Sequence, residues 1–283
     1  MAGTDQPGGI RALVARVRLV HPYPSFVNAA LVFGLAGAAG GEPLRTAQLA
    51  LAMLGLQFCI GVVNDLVDQP IDAVAKRWKP LAAGLVSRRT ATAIALAAGG
   101  GGLLLAAQVS PAVLAMYLAM LGCGLGYDFW LKPTAWAWLC FSIAFAILPV
   151  YAWYGAVGDL PPRTEFVLLL AALAGPIILL SNGLADLERD RASGVATLPA
   201  RLGDRRSLVV IAILLAMLHG LAWLTLPMDS AYSLALVAAS SLTAASGFAL
   251  LAIGSPALRE VGWMLQAGSL ALLGLGWLTA AVA

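Results

Sequence analysis

Long apolar runs alternate with short polar breaks along nearly the whole chain. Nine runs approach the roughly 20 residues that a helix needs to cross a bilayer. They cover about 23–40, 46–66, 90–108, 111–127, 134–156, 164–184, 206–226, 230–253 and 258–281. Breakers separate them: Gly40-Gly41 with Pro43, Ser110-Pro111, Pro161-Pro162 and Ser255-Pro256. The pattern predicts an all-α, polytopic membrane protein in a single domain over 1–283, with about nine transmembrane helices.

Composition agrees. Of the 283 residues, 61% are hydrophobic and only 11% charged, against roughly a quarter charged in soluble domains. Cys59, Cys123 and Cys140 lack metal-like spacing and read as small buried hydrophobes. The first 20 residues carry Arg11, Arg16 and Arg18 without a separate apolar core and cleavage site. They read as a basic segment on the membrane surface rather than a signal peptide.

The placement of charge says more than its total. With nine spans and a cytoplasmic N-terminus, all 17 Lys and Arg except Arg45 and Arg163 fall on the cytoplasmic side. Two connections on that side, about 67–89 and 185–205, are much longer than the others and hold most of the acids. They read as cap loops, and function is expected at that face of a multi-pass protein, with the cell membrane the expected location.

The acids there repeat. NDLVDQPID (64–72) and NGLADLERD (182–190) align at an offset of 118 residues: Asn64 with Asn182, Asp68 with Asp186, Asp72 with Asp190. Arg88 and Arg206 keep the same offset. A pseudo-repeat of helical units follows. Residues four apart share a helix face, so Asn182, Asp186 and Asp190 line up. In the first copy Pro70 predicts a break near Gln69, which leaves Asp68 the firmer ligand and places Asp72 on the loop or the next helix.

Asn and Asp oxygens suit Mg²⁺, which is commonly shared with substrate phosphates. Two facing acidic clusters, flanked by Lys76, Arg77, Lys79, Lys132, Arg189 and Arg191, suit a diphosphate whose apolar tail lies in the bilayer. The plain alternative is a solvated helix end whose acids pair with those cations. Ionisable groups in apolar spans favour function.

These motifs resemble the UbiA superfamily of intramembrane prenyltransferases over essentially the whole chain. NDLVDQPID matches the family's NDxxDxxxD, and DLERD matches its second, DxxxD-type motif. KPLAAGLVS and TLPARLG resemble the stretches that follow the two motifs. The resemblance implies helices around a central cavity, capped by the long loops. It implies Mg²⁺-dependent ionisation of an isoprenyl diphosphate and transfer to a lipophilic or aromatic acceptor, with no nucleic acid as partner. By analogy Asn64, Asp68, Asp186 and Asp190 hold metal, Asn182 joins through the repeat, and Asp65 and Asp72 support them. GYDFWLKPT offers the family's Tyr127 and Lys132, but the lysine follows by five residues rather than the more usual four.

Lys79, Arg77, Arg191 and Lys132 are further candidates for binding the diphosphate. Asn28, deep in the first span, is a candidate substrate contact. His21, at its edge, is a weaker one. Trp78, Tyr127, Trp130, Tyr151, Trp153 and Tyr154 are candidates to line the cavity. Gly99–Gly102 either sets the width of the groove or lets helices pack closely. A terpene cyclase, a phosphoribosyl transfer to a polyprenyl phosphate and an ion-coupled transporter are the competing readings. Charge gathered on one face argues against the last.

Overall fold

The computed structural model describes residues 9–192, 194–227 and 230–281. Of the basic N-terminal segment, the first eight residues and the Arg11 side chain lie outside that description. Eleven α-helices follow in order: α1 Gly9–Leu19, α2 Pro22–Ala38, α3 Pro43–Ala75, α4 Arg88–Ala107, α5 Pro111–Gly126, α6 Ala137–Val157, α7 Thr164–Ala192, α8 Leu198–Leu202, α9 Asp204–Thr225, α10 Ala231–Ile253 and α11 Pro256–Ala280. One π-helical turn, Tyr127–Leu131, extends α5.

The breakers read from sequence act as helix starts. Pro43, Pro111 and Pro256 each occupy a first-turn position, where a missing N–H costs nothing. The residue before each one caps the turn. Glu42 accepts from the Leu44 and Arg45 amides at 3.0 and 2.9 Å, Ser110 from Val113 at 3.2 Å, and Ser255 from Leu258 at 3.4 Å.

Neighbours in sequence pack in order from α2 through α7, then α9, α10 and α11, and α11 returns to α2 to close a ring. Helices α2, α6, α7 and α11 also touch across its interior. Shifted by 118 residues, α2 falls on α6, α3 on α7, α4 on α9 and α5 on α10. The acidic repeat is therefore part of a repeat of whole helices.

Eight helices among the described residues are individually long and apolar enough to span a membrane. The expected ninth span is α2. It has 17 residues and qualifies only together with α1, from which it bends by 60° at His21. The His21 backbone is left-handed there, at φ 48°. The outer face of α1 exposes Leu13, Val14 and Val17, while Ala15 and Leu19 pack into a satellite core with Val62, Leu81 and Ala91. An apolar outer face beside Arg16 and Arg18 suits a helix lying at the membrane surface.

The structure corrects the boundaries of the two long connections. Helix α3 runs unbroken through Pro70 to Ala75, and α7 runs to Ala192. Proline at 70 frees the carbonyl of Leu66, four residues earlier. Arg88 takes up that carbonyl at 3.3 Å and also binds the Gln69 side chain. With its orphaned acceptor satisfied, the helix continues, and Asp72 stays on the same helix as Asp68.

The Gly99–Gly102 run serves packing. A β-carbon on Gly102 would lie 2.5 Å from the Tyr117 hydroxyl and 2.7 Å from the Ala52 carbonyl, whereas one on Gly101 would meet nothing. We expect Gly102→Ala to lower stability by about 1–3 kcal/mol through overpacking. Gly101→Ala should be neutral or slightly stabilising. Thermal unfolding of the two variants in detergent compares them directly.

Candidate active site

The last three turns of α3 carry Asp65, Asp68 and Asp72 at three- and four-residue spacing, which puts them on one face. All three are buried. The chain leaving α3 turns back on itself, with the Lys79 amide on the Lys76 carbonyl at 2.9 Å. This brings the Lys79 ammonium to 2.8 Å from Asp65 and 2.7 Å from Asp72. Burial alone pulls the Lys79 pKa down, but the two carboxylates outweigh it and the net shift is upward. His21 adds its Nε2 to Asp65 at 3.0 Å. Gly61 makes room for that ring, since a β-carbon there would lie 3.0 Å from it.

Asp68 pairs instead with Lys132. The partner comes from the π-helical turn, whose closing bond runs from the Lys132 amide to the Tyr127 carbonyl at 2.9 Å. A π turn accommodates one extra residue, which explains why the lysine follows Tyr127 by five. Tyr127 packs edge-on against Phe141. Its phenol lies within electrostatic range of Asp68, Asp128, Asp186 and Asp190.

The second motif ends α7 and meets the first through lysine. Lys76 reaches Asp186 at 2.6 Å, and Arg189 binds the other oxygen of Asp186 at 3.0 Å. Arg189 also lies over the Trp78 ring at 4.8 Å. Asp190 accepts from the Thr197 hydroxyl at 2.9 Å. Arg201 donates to the Pro133 carbonyl at 2.7 Å, tying the segment after α7 to the one after the π turn. The chain segments after α3, α5 and α7 thus converge on one cluster.

The expected site residues divide accordingly. Asn64, Asp65, Asp68, Asp72, Lys79, Tyr127, Lys132, Asp186 and Asp190 come together. Asn182 lies on α7 one turn before Asp186 but is exposed, unlike its repeat partner Asn64. Arg77 and Arg191 are exposed and make no ion pair among the described residues. Of the cations after the first motif, Lys76 rather than Arg77 reaches the second.

Asn28 lines a cavity of about 110 Å³ with residues of α2, α6, α7, α9 and α11. Its walls are otherwise apolar or aromatic, among them Leu31, Ala174, Leu218 and Leu270. The cavity also touches Pro24, three residues along the chain from His21, whose ring binds Asp65. The aromatic lining differs from expectation: Phe145, Trp263 and Trp277 supply it. Tyr151 and Trp153 are buried in the core instead, and the Tyr151 hydroxyl donates to the Leu49 carbonyl at 3.1 Å. Trp130 is 71% exposed, and Trp78 sits under Arg189.

Sequence reasoning passed over Asp128. It is 5% exposed, accepts from the Asn64 amide at 2.7 Å and leaves its Oδ2 without a hydrogen bond. The signal was present, because a carboxylate inside an apolar span is a functional candidate in its own right.

Among the described residues no trio of carboxylates, histidines or cysteines converges as a ready-made metal site. The donor chemistry nonetheless fits a hard cation. The available ligands are carboxylate oxygens and the Asn64 carbonyl oxygen, which accepts no hydrogen bond among the described residues. Asp68 and Asp186 each already face a positive nitrogen.

The profile of the UbiA prenyltransferase family matches residues 26–264. The chain is 30% identical over 191 residues to a Methanopyrus kandleri protein named digeranylgeranylglyceryl phosphate synthase, covering 65% of this chain and 69% of that one. It is 28% identical over 217 residues to a 4-hydroxybenzoate octaprenyltransferase of Vibrio parahaemolyticus, covering 75% of each. Among solved structures, the apo form of a UbiA homologue from Aeropyrum pernix K1 matches with a TM-score of 0.74 at 19% identity, over 89% of this chain and 96% of that one. A UbiA homologue from Archaeoglobus fulgidus bound to DMAPP and Mg²⁺ matches with a TM-score of 0.71 at 17% identity, over 95% and 99%. At such identities the structures speak for a shared fold, and the family profile speaks for descent. This multi-pass, all-helical chain belongs to the UbiA prenyltransferase family.

Proposed function

We propose that the cluster binds the head of an isoprenyl diphosphate and that the apolar cavity receives its tail, for transfer to a lipophilic or aromatic acceptor. One observation carries this reading: the acid-bearing ends of α3 and α7 meet across Lys76 and Asp186, and α7 lines an apolar cavity from Ile178, about two turns before Asp186, inward. Relatives whose names carry 4-hydroxybenzoate, protohaem IX and digeranylgeranylglyceryl phosphate suggest the acceptors to test.

Asn64, Asp68, Asp186 and Asp190 are the proposed Mg²⁺ ligands, with Asn182 at the rim. When bound, Mg²⁺ neutralises the diphosphate and stabilises it as a leaving group. Lys132 and Lys76 are the nearest ammonium groups for the diphosphate oxygens. Each would exchange a carboxylate partner for one. Lys79 holds Asp65 and Asp72 in place, and those two acids support the motif from its buried side. Arg77 and Arg191, exposed at the edge, draw the anionic head in. The allylic C–O bond breaks, pyrophosphate departs, and the acceptor forms a bond to the allylic carbon and loses a proton. Phe145 and the cavity's aliphatic walls keep water from the cation, and Asn28 contacts the substrate. The excess of Lys and Arg on one side supports a cytoplasmic site in the cell membrane.

The test is incubation of the purified protein with Mg²⁺ and geranyl, farnesyl or geranylgeranyl diphosphate, with and without hydroxybenzoate-type acceptors. A prenylated acceptor supports transfer. Terpene formed with no acceptor would assign a cyclase instead.

Cavity depth gives a separate expectation. Ala174 lines the cavity 12 residues, or about 18 Å, along α7 from Asp186. Ala174→Phe should raise the KM for geranylgeranyl diphosphate by about tenfold and leave that for dimethylallyl diphosphate nearly unchanged. Steady-state kinetics with the two donors separates these outcomes.

A further inference from the structure

Two matched contacts join α3 to the π-helical turn. Asn64 binds Asp128, and four residues further along each element Asp68 binds Lys132. The widened turn sets both partners in register with α3. Lys132 is an expected site residue, but nothing in the expected chemistry calls for Asp128.

An asparagine can ligate a metal only through its oxygen, so its amide must be kept from rotating by half a turn. The other end of the amide decides this. A carboxylate accepts and cannot donate, so an ionised Asp128 selects the Asn64 nitrogen and turns the Asn64 oxygen the other way. Asp128 is 5% exposed and its Oδ2 finds no hydrogen bond, which is a costly arrangement for a group with a purely structural purpose.

We propose that Asp128 is a positioning residue that fixes the Asn64 amide so that its carbonyl oxygen faces the metal–diphosphate site. The inference rests on the reading of Asn64 as a metal ligand.

The test is Mn²⁺ affinity in the presence of a non-reactive thiolo analogue of geranyl diphosphate, read from the electron paramagnetic resonance of free Mn²⁺. Unfolding temperature is measured alongside. Asp128→Ala should weaken Mn²⁺ binding by about 10–100-fold. Asp128→Asn can donate as well as accept, so it no longer selects the Asn64 nitrogen and should fall between wild type and Asp128→Ala. Asn64→Asp sets two carboxylates against each other and should bind weakly. Asn64→Asp combined with Asp128→Asn restores the hydrogen bond with its direction reversed and should recover most of the affinity. Wild-type affinity in Asp128→Ala would overturn the proposal. So would failure of the swapped pair to improve on Asn64→Asp. If Asp128→Ala does not fold, the swapped pair decides. Absence of Mn²⁺ binding by the wild-type protein would instead sink the metal-site reading itself.

Discussion

Asp68→Ala and Asp186→Ala should each lower turnover by about a thousandfold while the protein remains folded in detergent. The two residues sit at the ends of different helices, yet each is the acid that a cation from elsewhere in the chain reaches: Lys132 for Asp68, Lys76 for Asp186. Removing either one takes away a fixed negative group at which developing charge and its counter-cation are organised. Losses of about 10²–10³ follow removal of a single preorganised group of this kind. Neither side chain is wedged in the apolar core, so the fold should survive. The measurement is single-turnover consumption of a prenyl diphosphate, with gel filtration and thermal unfolding as controls. Activity within tenfold of wild type in either variant would refute the assignment.

Lys79→Met should act on stability rather than chemistry. The Lys79 side chain is 15% exposed and bridges two acids that are themselves 2% and 3% exposed. Without it, Asp65 keeps only His21, and Asp72 loses its ion-pair partner. Leaving buried charge uncompensated costs about 3–5 kcal/mol. At about 2–4 °C per kcal/mol for a chain of this size, unfolding should fall by about 10 °C. Arg77→Met, two residues away on an exposed side chain, should change it by less than about 0.5 kcal/mol. The pH dependence has a definite sign. The raised Lys79 pKa means that its contribution is complete below the unfolded value near 10.4 and is lost only as pH climbs through the still higher folded value. Between pH 6 and 9 this ion pair should give no slope in stability. A 10 °C gap between wild type and Lys79→Met that persists across that range is the expected result.

Much of this architecture was legible because membrane helices announce themselves by length and apolarity alone. The 118-residue offset, first seen in six polar residues of two short motifs, extends to four pairs of helices. The misreadings have a common cause. Pro70 looked like a helix end because its cost is local and visible, while its remedy is Arg88, 18 residues on and unpredictable from spacing. Tyr151 and Trp153 looked like cavity walls because aromatic character is visible in sequence, whereas the direction a helix turns its faces within a closed ring is not. Lys132 looked displaced by one residue because a π turn leaves no compositional mark. Asp128 escaped notice through attention to repeated acids, although a lone acid in an apolar run deserved equal weight.

The continuity of α3 fixes the depth at which charge is held. Asp65 lies 22 residues beyond Pro43, about 33 Å along the axis, and Asp186 lies 22 residues beyond Thr164. A hydrocarbon core is about 30 Å thick. Asp65 and Asp186 therefore lie about one core thickness along their helices, near the level of the lipid headgroups. A prenyl diphosphate dissolved in the same leaflet already carries its phosphates at that level. It can meet the two motifs without lifting its tail into water or lowering its charge into oil.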